Sequence, residues 1–157
     1  MKLYFLRHAD ALSGMDDDVR PLSLEGHEQA RQLGKFLRRA GVEFDAAFTS
    51  PLTRARETAE IVLGLTNEPR PVLLETVVAL RNETSGGAFT RWLAALPEAK
   101  HVLLVGHEPT TSERVRELIG AAGAGLSFPK CALACVATED CARGELKFFV
   151  SPKSLGV

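Results

Sequence analysis

The residues of this chain best suited to chemistry are two arginines, two histidines and a serine, and each comes shortly after a short apolar run. They are Arg7, His8, Ser50, Arg54 and His107. A guanidinium group matches phosphate oxygens in a two-pronged way that an ammonium group cannot. An imidazole can act as a nucleophile when its attacking nitrogen is unprotonated. Together these residue types suit the binding and transfer of a phosphoryl group.

The elements that must position these residues are predicted from the alternation of apolar runs and amphipathic segments. We predict strands at 3–6, 45–49, 72–74, 101–105, 132–137 and 145–150, and helices at 23–40, 51–63, 88–96 and 109–119. Strands that alternate with helices predict an α/β protein, here a three-layer α/β/α sandwich with a mostly parallel central sheet. Ligands of such sheets bind beyond the carboxyl ends of the strands. The five candidate residues therefore fall on one edge of one sheet.

Arg54 lies in the first turn of a helix that the sequence predicts to open with Ser50 as its cap and Pro51 as its first residue. A positive side chain is unfavourable at the positive end of a helix dipole unless an anion is bound nearby. The alternative is a surface ion pair between Arg54 and Glu57 or Glu60. The first interpretation places Arg54 in an anion site, and neighbouring guanidinium groups there would lower the pKa of a catalytic histidine.

Four motifs in a fixed order carry a resemblance to a known family. The stretches at 6–9, 22–30, 50–59 and 106–109 resemble the four motifs of the histidine phosphatase superfamily. The resemblance implies a phosphoglycerate mutase-like fold and a phosphorylated nucleophile at His8. It also implies a phosphate pocket formed by Arg7, Arg54 and His107, with no metal and no cofactor.

The segments at 7–11 and 18–23 resemble the small SixA-type branch of this superfamily, although Ala9 replaces the usual glycine. Arg20 would add a positive charge at the mouth of the pocket, or else pair with the acidic run at 16–18. Ser50 is a candidate substrate-binding residue. The resemblance implies a phosphorylated protein, carrying phosphohistidine, as substrate.

An alkyl phosphate has a poor leaving group, so its hydrolysis benefits from a general acid. Glu75 and Glu83 are the candidates between the third and fourth motifs, and neither belongs to a recognisable motif. The leading hypothesis is therefore a phosphohistidine phosphatase, because a phosphoramidate depends less on such an acid. Two alternatives stay open: a phosphomonoesterase for a small metabolite or a phosphoserine/threonine protein, and a non-catalytic phosphate-binding module.

Length and composition exclude several other classes of protein. The chain has 157 residues, of which 45% are hydrophobic and 25% charged, so we expect a single globular domain over residues 1–157. A net charge of -1 gives no general attraction to nucleic acid or to an anionic membrane. Three cysteines and no long apolar stretch favour a cytoplasmic protein with reduced thiols and no metal site. We expect a monomer or a weak oligomer.

Overall fold

The computed structural model describes all residues from Met1 to Val157 and has a central six-stranded sheet with two helices packed on each face. The strands are β1 (Lys2–Arg7), β2 (Ala46–Thr49), β3 (Leu74–Thr76), β4 (His101–Gly106), β5 (Leu133–Thr138) and β6 (Gly144–Val150). The helices are α1 (Leu24–Arg39), α2 (Thr53–Thr66), α3 (Gly86–Ala94) and α4 (Thr110–Leu118). The strand order is β3-β2-β4-β1-β5-β6, and only β5 runs against the others. The predicted α/β sandwich with a mostly parallel sheet is confirmed.

The sequence of β1 explains why the sheet is covered on both faces. Tyr4 and Leu6 belong to the apolar core that α1 and α2 form with the sheet. Leu3 and Phe5, whose side chains point the other way, belong to the core that α3 and α4 form on the opposite face. A strand that is buried on both faces has an unbroken run of apolar residues, and residues 3–6 show this pattern.

Strand register brings the predicted functional residues together at the carboxyl edge of the sheet. Arg7, the last residue of β1, pairs with Gly106, the last residue of β4. The His8 amide donates to the Gly106 carbonyl at 3.0 Å. The Ser50 amide donates to the Val105 carbonyl, also at 3.0 Å. The peptide units that carry the two histidines and the serine are therefore fixed by the sheet itself.

The start of α1 is fixed by a side-chain cap and by a close approach to the loop after β1. Ser23 caps the helix, as predicted, by accepting a hydrogen bond from the Gly26 amide at 3.0 Å. The Ser23 hydroxyl also donates to the Asp10 carboxylate at 2.6 Å. A Cβ atom on Gly26 would collide with the Asp10 carbonyl. Gly26 therefore lets the helix pack directly against the loop that follows His8.

Several predicted boundaries were wrong, and the largest correction concerns α2. This helix begins at Thr53, with Leu52 at the N-cap position and no side-chain cap, so Ser50 does not cap it. Strand β3 lies at Leu74–Thr76, so it begins and ends two residues later than predicted. Helix α3 begins at Gly86, before the predicted start, because Ser85 caps it. Short strands and uncapped helix starts carry weak local signals, so their ends are set by packing.

All three cysteines carry free thiols, and Cys131 and Cys135 are buried. Cys131 has a φ of 60° just before β5.

None of the helices combines the length and the apolar character that crossing a bilayer requires.

We predict opposite effects for two Gly→Ala substitutions in helices. Gly26→Ala should lower the free energy of unfolding by about 1–3 kcal/mol, because the added methyl group must displace the Asp10 carbonyl. Gly64→Ala is the matched control, since Gly64 lies inside α2 with nothing within 4 Å of the new Cβ. It should raise the free energy of unfolding by about 0.5–1 kcal/mol. Urea unfolding followed by circular dichroism measures both, and equal effects would contradict the close approach at Gly26.

Candidate active site

A cavity of about 250 Å³ lies at the carboxyl edge of the sheet, where the predicted residues converge. Its lining contains four cationic side chains and one carboxylate. The lining residues are Arg7, His8, Ala11, Arg20, Arg54, Asn82, His107, Glu108 and Lys130. This composition makes the cavity a site for an anion.

The imidazole of His8 is held in one tautomer by its own backbone neighbour. His8 Nδ1 lies 2.7 Å from the Ala9 carbonyl oxygen. A carbonyl oxygen can only accept, so Nδ1 carries the proton and Nε2 carries the lone pair. Arg54 Nε donates to that nitrogen at 3.3 Å. His8 is 7% exposed, so its unprotonated nitrogen is presented inside the cavity and not to bulk water.

The segment after His8 is anchored by side chains from both neighbouring helices. The Ala9 amide donates to the Thr58 hydroxyl at 3.0 Å. The Asp10 amide donates to the Gln29 side-chain oxygen at 2.9 Å. The methyl group of Ala9 is completely buried, so the core accommodates it where related motifs have glycine. These contacts explain why motif residues far from the cavity matter for the position of His8.

Arg54 connects His8 to the acidic run at 16–18. Its Nη1 donates to the main-chain carbonyl of Asp17 at 2.7 Å, and its Nη2 lies 3.3 Å from the Asp17 carboxylate. The surface pairs with Glu57 or Glu60 that were the alternative for this arginine do not form. The Glu57 carboxylate accepts a hydrogen bond from the Leu22 amide.

Arg7 lines the cavity, and its Nη1 donates to the Phe128 carbonyl at 2.7 Å. Its Nε is buried without a hydrogen-bond partner. Burial and the nearby Arg54 lower the pKa of Arg7, while Glu108 acts in the opposite direction. A buried donor without a partner is uncommon in folded proteins, and a bound anion would supply the missing acceptor.

His107 lies close to His8, with 5.1 Å between the ring centroids. Its Nε2 lies 2.7 Å from the Ser50 hydroxyl, whereas its Nδ1 is buried without a partner. Ser50 is fully buried and does not line the cavity. The structure therefore places Ser50 behind His107, and not in the position expected for a residue that contacts the substrate.

Both histidines are neutral near pH 7. Burial lowers the pKa of His8 to about 3. The hydrogen bond to Ala9 opposes this shift, and His107, Arg54 and Arg7 add smaller lowering effects. Burial also lowers the pKa of His107 to about 4, and Arg54 adds to this effect. The direction expected from the sequence is present, but desolvation contributes more than the arginines do.

Arg20 does both things that the sequence offered as alternatives: it adds a positive charge to the cavity and it pairs with the acidic run. It lines the cavity, and it also donates to the Asp17 carboxylate from Nε at 3.1 Å and from Nη2 at 2.9 Å. Asp17 thus bridges Arg20 and Arg54. Asp18 lies 3.6 Å from a third arginine, Arg81. Asp17 and Asp18 are thus counter-ions for three arginines, whereas the sequence had offered this pairing for Arg20 alone.

The two carboxylates considered as general acids do not line the cavity. Glu75 lies on β3 and lines a different cavity, beside Trp92. Glu83 is fully exposed, and hydrogen bonds from its own backbone amide and from Arg81 lower its pKa. A carboxyl group with a lowered pKa is a poor proton donor.

Three polar lining residues, in addition to Ala11, were missed by sequence reasoning. Glu108 accepts hydrogen bonds from the Ser112 amide and hydroxyl and from the Phe128 amide, so it is held as an acceptor. Asn82 donates to the Glu108 carbonyl at 2.8 Å. Lys130 pairs with Asp10 at 2.6 Å. Of these three residues, only Glu108 had a sequence feature that could have pointed to the site, because it directly follows His107.

We predict that both active-site rings stay neutral in mildly acidic solution. The pKa of each is lower in the folded protein than the value of about 6.5 in an unfolded chain. The unfolded state therefore binds more protons below that value, and the stability conferred by neutral rings is lost as the pH falls. In an NMR titration, the ring signals of His8 and His107 should remain those of neutral imidazole down to about pH 5. Transitions near 6.5 would contradict the buried, neutral site.

A second prediction concerns the competition between Asp17 and an incoming anion. Asp17→Asn should tighten the binding of inorganic phosphate by about two- to fivefold, because a carboxylate that shares Arg54 is removed. Asp18→Asn is the matched control, because it removes the same charge from a side chain that pairs with Arg81. Isothermal titration calorimetry measures both. Equal tightening in the two variants would show a general charge effect and contradict direct competition at Arg54.

Comparison with known proteins agrees with this geometry. The family model described as histidine phosphatase superfamily (branch 1) matches residues 3–85. An uncharacterized protein of Picosynechococcus is 36% identical over 140 residues, which cover 85% of this chain and 82% of the relative. The phosphohistidine phosphatase SixA of Escherichia coli is 29% identical over 158 residues, which cover 99% of this chain and 96% of that protein.

Solved structures extend the similarity to the whole fold. The structure of the protein histidine phosphatase SixA complexed with tungstate has a TM-score of 0.88 and 30% identity, and covers 99% of both chains. A phosphoglycerate mutase of Bacillus anthracis, at 16% identity and a TM-score of 0.70, shares the fold. The full-length similarity to SixA supports phosphatase activity. This chain belongs to branch 1 of the histidine phosphatase superfamily.

Proposed function

We propose that this chain is a phosphohistidine phosphatase that transfers a phosphoryl group from a protein histidine to His8 and then to water. The observation that carries the proposal is the state of His8. Its Nε2 is unprotonated, because Nδ1 donates to the Ala9 carbonyl, and it faces a cavity lined by four cationic side chains. A neutral nucleophile among fixed cations suits attack on a phosphoryl dianion.

In the first step, the hydrogen bond from Arg54 Nε to His8 Nε2 is released and the lone pair of Nε2 attacks phosphorus. The bond from phosphorus to the substrate nitrogen breaks as the new bond forms. The leaving imidazole keeps the electron pair of that bond and takes a proton from solvent. The guanidinium groups of Arg7 and Arg54 and the ring of His107 stabilise charge on the phosphoryl oxygens. Throughout this step, His8 Nδ1 keeps its proton and its bond to the Ala9 carbonyl.

In the second step, a water molecule attacks phosphorus, and the bond to His8 Nε2 breaks. The electron pair of that bond returns to Nε2, the water proton passes to solvent, and inorganic phosphate leaves. The ring is then neutral again, in agreement with its low pKa. Because the hydrogen bond to Ala9 persists, the same nitrogen is available for the next cycle.

The carboxylates around the cavity support a phosphoramidate as the substrate. Glu108 lines the cavity but accepts hydrogen bonds through both oxygens. Glu83 has a lowered pKa and pairs with Arg81. An imidazole leaving group needs less help from an acid than an alkoxide does, so phosphohistidine suits this site better than an alkyl ester.

The loop beside the cavity supports a protein as the carrier of that phosphohistidine. Ala11 and Arg20 of this loop line the cavity. Between them, the apolar side chains of Leu12, Met15 and Val19 are 46%, 49% and 56% exposed. Exposed apolar side chains grouped near a binding site are typical of protein contact surfaces.

The test uses a phosphohistidine-bearing protein and an aryl phosphate as parallel substrates. We expect the wild type to release phosphate much faster from phosphohistidine than from the ester, and to form an acid-labile phosphoenzyme. His8→Ala should fall to less than about a thousandth of wild-type activity and take up no label. Phosphate release and rapid-quench labelling are the measurements.

His27→Ala is the control, because His27 lies on α1 and does not line the cavity. This variant should keep wild-type rates and labelling. Turnover of the ester alone, through His8, would replace the proposal with a phosphomonoesterase. Binding of phosphate without turnover of either substrate would replace it with a non-catalytic module.

A further inference from the structure

Ser50 is a completely buried hydroxyl whose hydrogen-bond partners are few. The Leu52 amide donates to its oxygen at 3.3 Å, so that contact uses an acceptor site of the hydroxyl. The only other contact of the Ser50 oxygen is His107 Nε2, at 2.7 Å. The hydroxyl proton therefore has one available acceptor, the Nε2 lone pair of His107.

The hydrogen-bond pattern decides between the two neutral forms of His107. If Nε2 carried the proton, the buried Ser50 hydroxyl would have no acceptor and Nδ1 would keep a buried lone pair. If Nδ1 carries the proton, the Ser50 hydroxyl is satisfied and a single group, the Nδ1 N–H, remains without a partner. Leaving fewer buried polar groups unsatisfied favours the second form.

We propose that Ser50 is a positioning residue that fixes His107 in the Nδ1–H tautomer, so that this N–H donates to an oxygen of the bound phosphoryl group. The part of this inference that concerns the phosphoryl group rests on the proposed function. The ring of His107 lines the cavity, and its centroid lies 5.1 Å from that of the His8 ring. An anion held by Arg7 and Arg54 beside His8 is thus next to the unpartnered N–H.

The tautomer matters because the ring is neutral, as its lowered pKa of about 4 indicates. A neutral imidazole presents a donor on one nitrogen and a lone pair on the other. In the Nδ1–H form the donor faces the phosphoryl oxygens. In the opposite form a lone pair would face those oxygens and repel them, so losing the Ser50 contact would weaken catalysis without removing His107.

The first experiment reads the tautomer directly and needs no substrate. The ring nitrogens of ¹⁵N-histidine-labelled enzyme are assigned with a His107→Asn spectrum, since the chain has 4 histidines. We expect wild-type His107 to be protonated at Nδ1 and unprotonated at Nε2. In Ser50→Ala the ring should become a mixture of tautomers. A proton on Nε2 in the wild type would overturn the proposal, whatever the activity of the enzyme.

The second experiment asks which nitrogen meets the phosphoryl group. An asparagine amide nitrogen can replace Nδ1, whereas a glutamine amide nitrogen can replace Nε2. We therefore expect His107→Asn to keep at least about tenfold more kcat than His107→Gln, and Ser50→Ala to lose roughly tenfold in kcat. Higher activity in the glutamine variant would contradict donation by Nδ1.

The control for losing a buried hydroxyl is Thr66→Val, at the far end of α2. Thr66 donates to the Val62 carbonyl and is buried, but it lies about 20 Å along the helix from its start. It should keep the wild-type tautomer and kcat. Wild-type enzyme that lacks His8 labelling would refute the proposed function, while the ring spectrum would still report on the tautomer.

Discussion

The hydrogen bond from His8 Nδ1 to the Ala9 carbonyl is the interaction on which the chemistry of this site depends. It works only if the peptide after His8 is rigid, and three elements provide that rigidity. The sheet holds the His8 amide, Thr58 of α2 holds the Ala9 amide, and Gln29 of α1 holds the next amide. The close approach of α1, which the small size of Gly26 permits, belongs to the same arrangement. Motif residues outside the cavity thus determine which nitrogen of His8 carries the lone pair.

Charge in the cavity is balanced by short-range partners and by burial. Burial keeps both histidines neutral, so the positive charge comes from the guanidinium and ammonium groups that line the cavity. Asp17 partly offsets this charge at Arg54, and it is largely exposed. A buried carboxylate in that place would bind the arginine strongly and exclude phosphate. An exposed one stabilises the empty site only weakly.

The sequence was sufficient to predict the convergence of the site, because parallel strands place their carboxyl ends together and each end is marked by a functional residue. Arg7, His8, Arg54 and His107 all lie where that rule puts them. It was not sufficient for contacts that depend on distant segments, such as Lys130 with a residue 120 positions earlier. The sequence also could not place Ser50. A serine just before a helix predicts an N-cap whether its hydroxyl bonds to the helix or to another side chain.

The segment before β5 shows that the cavity depends on a part of the chain outside the family match. The segment before β5 contributes the Phe128 carbonyl that holds Arg7, and Lys130 at the rim. It lies outside residues 3–85, which carry the family match. The guanidinium of Arg7 is therefore oriented by a residue 121 positions further along the chain, whereas the backbone after His8 is held by helices that lie within the matched region. The cavity is complete only when the chain has folded through to the segment before β5.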